Sequence, residues 1–335
     1  MQLLFSVTAL ALSLSPTGGA PLPAAGALAD RDFADPFVLR AGDAFYAFAT
    51  NRDESNVQIA RSKDLAHWEL LPDALPVLPA WAKKGLTWAP AVVKRGETFV
   101  LYYTARHAKS GFQCISRAVA SKPEGPYRDD SKQPFVCQVE DETRFCGSID
   151  PSPFVDPKGH VFLLWKSDEN AIECRGTSRI WGQALTDDGL SLVGEAKELS
   201  SLDAAWEGPL VEGPSMLAAN GKYYLFYSAN WWESDRYAIG YAICESPLGP
   251  CKKATGKEPF VKTMGKVFGP GGQEFFTDAV GRTWMAFHAW TSEKTSYALG
   301  GVRALHFALV EFADAVPMLK LEKKAEPEKP SVARD

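Results

Sequence analysis

One plan recurs five times along this chain: an apolar run that opens near Pro or Gly, a polar turn, an aromatic-rich run, then a third apolar run. It is plainest in VEGPSMLAANGKYYLFYSAN, residues 211–230. There Asn220-Gly221 supplies the positive φ angles of a tight hairpin turn. Lys222 to Asn230 then mixes aromatic and small residues, as a strand packed on both faces would. The other copies open at ADPFVLRAGDAFYAFATN (34–51), WAPAVVKRGETFVLYYTAR (88–106), IDPSPFVDPKGHVFLLWKSDEN (149–170) and PGGQEFFTDAVGRTWMAFHAW (270–290). Aligning Pro36, Pro90, Pro151, Pro214 and Gly271 gives steps of 54, 61, 63 and 57 residues. About four short strands per unit with almost no helical pattern predict an all-β fold, a five-bladed β-propeller with about four antiparallel strands per blade. A sandwich or a βα barrel would not repeat at this period.

A propeller turns the innermost strand of every blade toward one axis, so residues that start those strands face one another. Asp35, Asp150 and Glu212 take that place in the first, third and fourth units, and are read as equivalent. The Pro that follows each acid directly, or two residues on, is expected to hold the backbone extended. An Asp before Pro is commonly only a turn residue; three acids in register across separate blades point to a shared site. Clustered carboxyls cannot all ionise freely, so one keeps its proton while another stays charged. Hydrolysis of a glycosidic bond needs that pairing, one acid for the leaving oxygen and one base for water.

These three segments, in this order and at blade spacing, resemble glycoside hydrolase family 43, five-bladed propeller enzymes acting on arabinans and xylans. The likeness runs from about Phe33 to Phe312. It implies Asp35 as general base, Glu212 as general acid, and Asp150 as the residue that orients the acid and raises its pKa, with inversion at the anomeric carbon. The residues alone identify the trio and do not assign base and acid. Trp88 looks like the family's pocket-wall aromatic, and Trp231, with Trp232, could line the rim. Phe33 beside the base is a further candidate for substrate contact. Arg303 matches the family's sugar-contacting arginine from the last blade, with Arg282 a weaker competitor. His288, in FHAW, resembles a histidine near an axial calcium in arabinan-active members, although a hard cation prefers oxygen ligands. No cofactor is required; a structural calcium on the axis is the one metal considered. GSIDPSPF, WKSDEN and GPGGQEF look most like exo-acting α-L-arabinofuranosidases. A β-xylosidase, an endo-arabinanase or a non-catalytic carbohydrate-binding propeller are the alternatives. The substrate would be a plant cell-wall polysaccharide or oligosaccharide.

The rest of the chain bounds these readings. Across 335 residues a net charge of -5, with dispersed Lys and Arg, argues against nucleic acid as a partner. Met1–Ser15 is an apolar run of signal-peptide length lacking an early Lys or Arg, followed by candidate cleavage sites near Ala20, Ala25 and Ala29. It marks residues 1–29 as a leader and linker, 30–318 as the propeller and 319–335 as a charged tail. The expected protein is secreted or periplasmic, has no membrane span when mature, and is a monomer. Six cysteines with no close-paired zinc spacing suggest disulfides, Cys244–Cys251 across SPLGP first among them. Cys114, Cys137, Cys146 and Cys174 are left open between bridges and buried thiols.

Overall fold

The structure is a computed structural model that describes residues 22–23, 25–26, 28, 30–138, 147–171, 174 and 176–320. Two short strands, β1 (Leu22–Pro23) and β2 (Ala25–Gly26), precede the first blade. Blade one is β3 (Phe37–Ala41), β4 (Ala44–Ala49), β5 (Gln58–Ser62) and β6 (His67–Leu70), with β2 added beside β6. Blade two is β7 (Ala82–Arg95), β8 (Thr98–His107) and β9 (Gln113–Ala120). Blade three is β10 (Ser148–Val155), β11 (Val161–Ser167), β12 (Arg179–Leu185) and β13 (Leu192–Ser201). Blade four is β14 (Val211–Ala219), β15 (Lys222–Ala229), β16 (Ala238–Cys244) and β17 (Cys251–Lys253). Blade five is β18 (Phe268–Thr277), β19 (Thr283–Trp290), β20 (Arg303–Ala313) and β21 (Val316–Lys320), with β1 also on β20.

The expected five-bladed propeller is therefore present, with one departure. Blade two has three strands, and among the described residues β9 carries on its outer side the single bridges Gln113–Gly147, Ile115–Val136 and Val119–Arg128. The segment that would supply a fourth strand, SKPEGPYRDDSKQP, holds three prolines that cannot donate to a ladder. β1 and β2 join blades five and one respectively, so cleavage at Ala25 or Ala29 would take strand β1 away, whereas cleavage near Ala20 would keep both. The apolar run Met1–Ser15 and residues 321–335 lie outside the described residues; Leu319 and Lys320, assigned to the tail by sequence, are the end of β21.

Alternating side chains on each strand send one set toward each neighbouring blade. The result is five hydrophobic clusters, one per blade interface. Phe48, Tyr103 and Tyr127 fill that between blades one and two, Tyr102 and Trp165 that between two and three, and Leu164 and Tyr227 that between three and four. Phe226 and Phe287 lie between four and five, and Phe45, Trp284 and Phe307 close the ring between five and one. Asn220 and Gly221 turn the β14–β15 hairpin at φ 51° and 70°, as the dipeptide predicts. Cys244 and Cys251 are bonded across facing positions of β16 and β17, and Cys114 bonds Cys137; Cys174 is disulfide-bonded too.

At the start of every inner strand the backbone takes one left-handed step. It falls on Asp35 (φ 50°), Ala89 (43°), Asp150 (56°), Gly213 (52°) and Gly272 (60°). The extended backbone expected for the acids before Pro36 and Pro151 is thus replaced by a strained one, which L-residues adopt at a cost of order 1–2 kcal/mol. The step also fixes the true alignment. Asp35, Ala89, Asp150, Gly213 and Gly272 are equivalent, so Glu212 is not the counterpart of Asp35 and Asp150 but sits one residue earlier. In blade five the counterpart of the aligned prolines is Gln273 rather than Gly271.

Candidate active site

The left-handed steps form a ring around the axis, and the second strand of the preceding blade supplies the groups that hold it. The residue just before each step pairs in register with Thr50, Thr104, Lys166, Ser228 or His288. Four of these five accept the N–H of the left-handed residue in the next blade. Thr50 Oγ1 accepts from Ala89 and Thr104 Oγ1 from Asp150, both at 3.1 Å. Ser228 Oγ accepts from Gly272 at 2.9 Å, and His288 Nδ1 accepts from Asp35 at 3.0 Å. Lys166 is the exception, since an ammonium has no acceptor. The Gly213 N–H turns instead to Asp150 Oδ2 at 2.9 Å. Lys166 Nζ, 1% exposed as a residue, reaches Glu212 Oε2 at 3.2 Å and Asp168 Oδ1 at 3.1 Å.

Sequence reasoning therefore named three acids that the fold gathers around one cavity and missed the lysine that bonds Glu212. Its signal was available: a charged residue inside the apolar strand VFLLWKS can be buried only with partners. Tyr237 was missed as well. Its hydroxyl donates to Glu212 Oε1 at 2.8 Å, and its ring packs where Gly271 has no side chain, a Cβ there lying 2.0 Å from the ring. Gly272 is equally constrained, because a Cβ would stand 2.7 Å from His288 Nδ1 and 3.1 Å from Asp35 Oδ1.

Asp35 and Asp150 are held in opposite states. Burial works to raise the Asp35 pKa, but Arg303 Nη1 at 3.7 Å and the Thr50 hydroxyl at 2.6 Å outweigh it and hold the carboxyl well below the usual range. Burial pushes Asp150 up to about 8, helped by the neighbouring Glu212 and opposed by Lys166. One carboxylate is thus available to accept a proton, and Asp150 retains its own at neutral pH. These groups line a single cavity of about 990 Å³, which also carries Trp88, Trp231, Trp232 and Arg303. Trp231 is 46% exposed at its mouth. Arg303 is 8% exposed; it donates through Nε and Nη2 to the Tyr297 hydroxyl and lies 4.6 Å from the Trp232 ring centre. Arg282 stands apart, beside Trp284 and Asp278 in the far hairpin turn.

Phe33 does not reach the cavity. It is fully buried in the cluster between blades five and one, because its position two residues before the left-handed step turns it into the core. His288 also differs from its expected place as a metal ligand. With Nδ1 accepting the Asp35 N–H, the neutral ring carries its proton on Nε2, which is buried without a partner and has no lone pair to offer. Among the described residues no three His, Cys, Asp or Glu side chains converge as a metal site. His288 is explained as the ring's support for Asp35.

A five-bladed propeller with acids of opposite protonation in its axial cavity defines the architecture of a carbohydrate-active hydrolase. Residues 28–317 match glycosyl hydrolases family 43, and the chain belongs to that family. It is 28% identical to a β-D-galactofuranosidase of Aspergillus niger over 64% of this chain and 62% of that protein. It is 27% identical to an extracellular exo-α-(1→5)-L-arabinofuranosidase of Cellvibrio japonicus over 72% of this chain and 70% of the other. The chain thus spans less than two thirds of the first of these relatives. Among solved structures, a thermostable family-43 glycoside hydrolase superposes with a TM-score of 0.80 at 27% identity, covering 93% of this chain and 99% of that one.

Proposed function

We propose that this protein is an inverting glycoside hydrolase that releases L-arabinofuranose from arabinan or arabino-oligosaccharides. The opposite protonation of Asp35 and Asp150 across one cavity carries this reading. Asp35, charged and fixed by Thr50 and His288, takes a proton from the attacking water. Glu212 delivers a proton to the leaving oxygen, and Asp150, kept protonated by burial and by the neighbouring Glu212, stands beside it with Oδ2 accepting the Gly213 N–H. Both Glu212 oxygens are fixed by donors, Lys166 and Tyr237, so the carboxyl has little freedom to turn away. Trp88 offers an indole face to the sugar, and Arg303 sets the wall beside Asp35.

Exo action is favoured by a tie across the side of the cavity between blades five and one. Tyr297 donates to Asp32 Oδ1 at 3.0 Å while accepting from Arg303, which pins the 291–302 loop over that wall. A chain end fits such a pocket better than the middle of a polymer. The similarity to the Cellvibrio exo-enzyme supports the same choice, and that relative's extracellular location supports export of this protein. Incubation with linear α-1,5-arabino-oligosaccharides tests the proposal. Arabinose alone from the earliest time, with the anomer opposite to the substrate's by NMR, is expected. Mixed oligomers would mean endo action, release of xylose alone from xylo-oligosaccharides a β-xylosidase, and no release by folded protein a binding propeller.

A further inference from the structure

Four cationic side chains line the cavity, and three have partners. Arg52 pairs with Asp53 at 3.5 Å, Lys166 with Glu212 and Asp168, and Arg303 with Asp35 and Tyr297. Arg106 has none: its half-buried guanidinium makes no hydrogen bond or ion pair with any described residue, and its Nε is enclosed without an acceptor. A partly desolvated guanidinium left without acceptors is costly, so a fold keeps one where something else will supply them. Asn170 shares this condition. It lines the same cavity, and its Oδ1 is enclosed without a donor.

Register places the two together on one flank. The inner strands start at the cavity and run away from it, so the second strands β8 and β11 return toward it. Thr104 on β8 holds the Asp150 N–H, and Arg106 lies two residues further along the same face, about 7 Å toward the mouth. Asn170 follows Ser167, the register partner of Ser148, by three residues on the same outward course. Both therefore line the cavity that holds Asp150, just past Thr104 on β8 and past the end of β11, where a sugar joined to the reacting one would lie.

We propose that Arg106 and Asn170 form the subsite for the second sugar unit of the substrate, and that they recognise the hydroxyl groups of a neutral sugar. This rests on the glycosidase reading above. Seven carboxyl side chains line the cavity against four cations, and even with Asp150 and Glu274 pushed up to about 8 by burial the lining offers an anionic sugar no net positive charge. A carboxylate could also satisfy only Arg106. A hydroxyl both accepts from the guanidinium and donates to the Asn170 amide, and so serves both groups.

Arg106→Gln and Asn170→Ala are to be compared with wild type on α-1,5-arabinotriose and on an aryl α-L-arabinofuranoside, or on the xylo-counterparts if those are cleaved faster. The expected result is a loss in kcat/KM about tenfold larger on the trisaccharide than on the aryl glycoside, carried mainly by KM, with Arg106→Lys recovering part of it. Equal losses on the two substrates would assign Arg106 a purely structural role and overturn the subsite. So would a wild type that prefers a uronic acid to a neutral sugar in the second position, measured with one oligosaccharide of each kind. A wild type that cleaves neither substrate removes the glycosidase reading and the subsite with it. Active wild type with variants indistinguishable from it removes the subsite alone.

Discussion

Replacing Lys166 by Met removes the one cation that faces Glu212, Asp168 and Asp150 together. At 3.1–3.2 Å each of its two ion pairs is worth about 5 kcal/mol at an effective dielectric of ~20, most of it offset by the cost of burying the charges. Removing one partner leaves the others buried and uncompensated, which costs about 3–5 kcal/mol. In a chain this long each kcal/mol lowers Tm by about 2 °C, so a fall of about 6–10 °C is expected at pH 8. The pH dependence has a definite sign. Lys166 lowers the Asp150 pKa from where burial and Glu212 would put it, so its loss moves that pKa above about 8. A carboxyl whose folded pKa is raised stabilises the protein below its unfolded pKa and loses that contribution as pH rises through the folded value. The Tm deficit of Lys166→Met should accordingly grow as pH rises above about 8, where Asp150 ionises in the folded wild type while the variant still holds it protonated. The alkaline limb of kcat/KM on an aryl glycoside, measured from pH 6 to 10, should move upward. A deficit that does not grow between pH 8 and 10, or an alkaline limb that moves down, would refute this account of the lysine.

Three further outcomes follow from the same geometry. Glu212→Ala should lower kcat on unactivated arabinan by about 10²–10⁴-fold and far less on an aryl glycoside with a good leaving group; equal losses would remove Glu212 as the proton donor. If Asp150→Ala instead shows that leaving-group dependence more strongly than Glu212→Ala, Asp150 donates directly. His306, stacked on Phe287 with neither ring nitrogen bonded, is held by burial at a pKa of about 4. The unfolded chain takes up its proton first, so about 3 kcal/mol of stability is lost as pH falls from 6.5 to 4, and His306→Phe should flatten the urea-unfolding profile over that window. Gly272→Ala should cost about 1–2 kcal/mol from its φ of 60° and depress activity more than stability, since the added Cβ meets both His288 and Asp35; full activity would mean the ring can shift without harm.

The blade repeat and the trio could be read from sequence because both rest on local chemistry. Turn dipeptides, aromatic strands and an acid near Pro recur at a readable interval. The one-residue offset of Glu212 was legible, since Pro214 follows it two residues on whereas Pro36 and Pro151 follow their acids directly, but the left-handed step was not, because Asp-Pro looks extended by every local rule. Phe33 was misplaced for the same reason: that step, invisible in sequence, decides which of two neighbouring side chains enters the cavity and which enters the core.

The supports of that step explain where the chemistry sits. In three blades the second strand meets it with a hydroxyl, Thr50, Thr104 or Ser228, which can accept one N–H and donate onward, as Thr50 does to Asp35 and Ser228 to Gln273. The two blades that break this rule are the third and the fifth, and the steps they support are those at Glu212-Gly213 and at Asp35. A hydroxyl beside Asp35 would add one more neutral donor; an imidazole accepts the backbone N–H while its ring crowds the carboxylate toward Arg303. A hydroxyl beside Gly213 would take that N–H and leave the Asp150 carboxyl without it. Lysine refuses the N–H, so the backbone of the donor's neighbour must bond Asp150, and the two acids are forced into one coupled pair. The departure from the repeat at Lys166 is therefore what joins Asp150 to Glu212, and a Lys166→Ser variant should uncouple them by returning the Gly213 N–H to the ring.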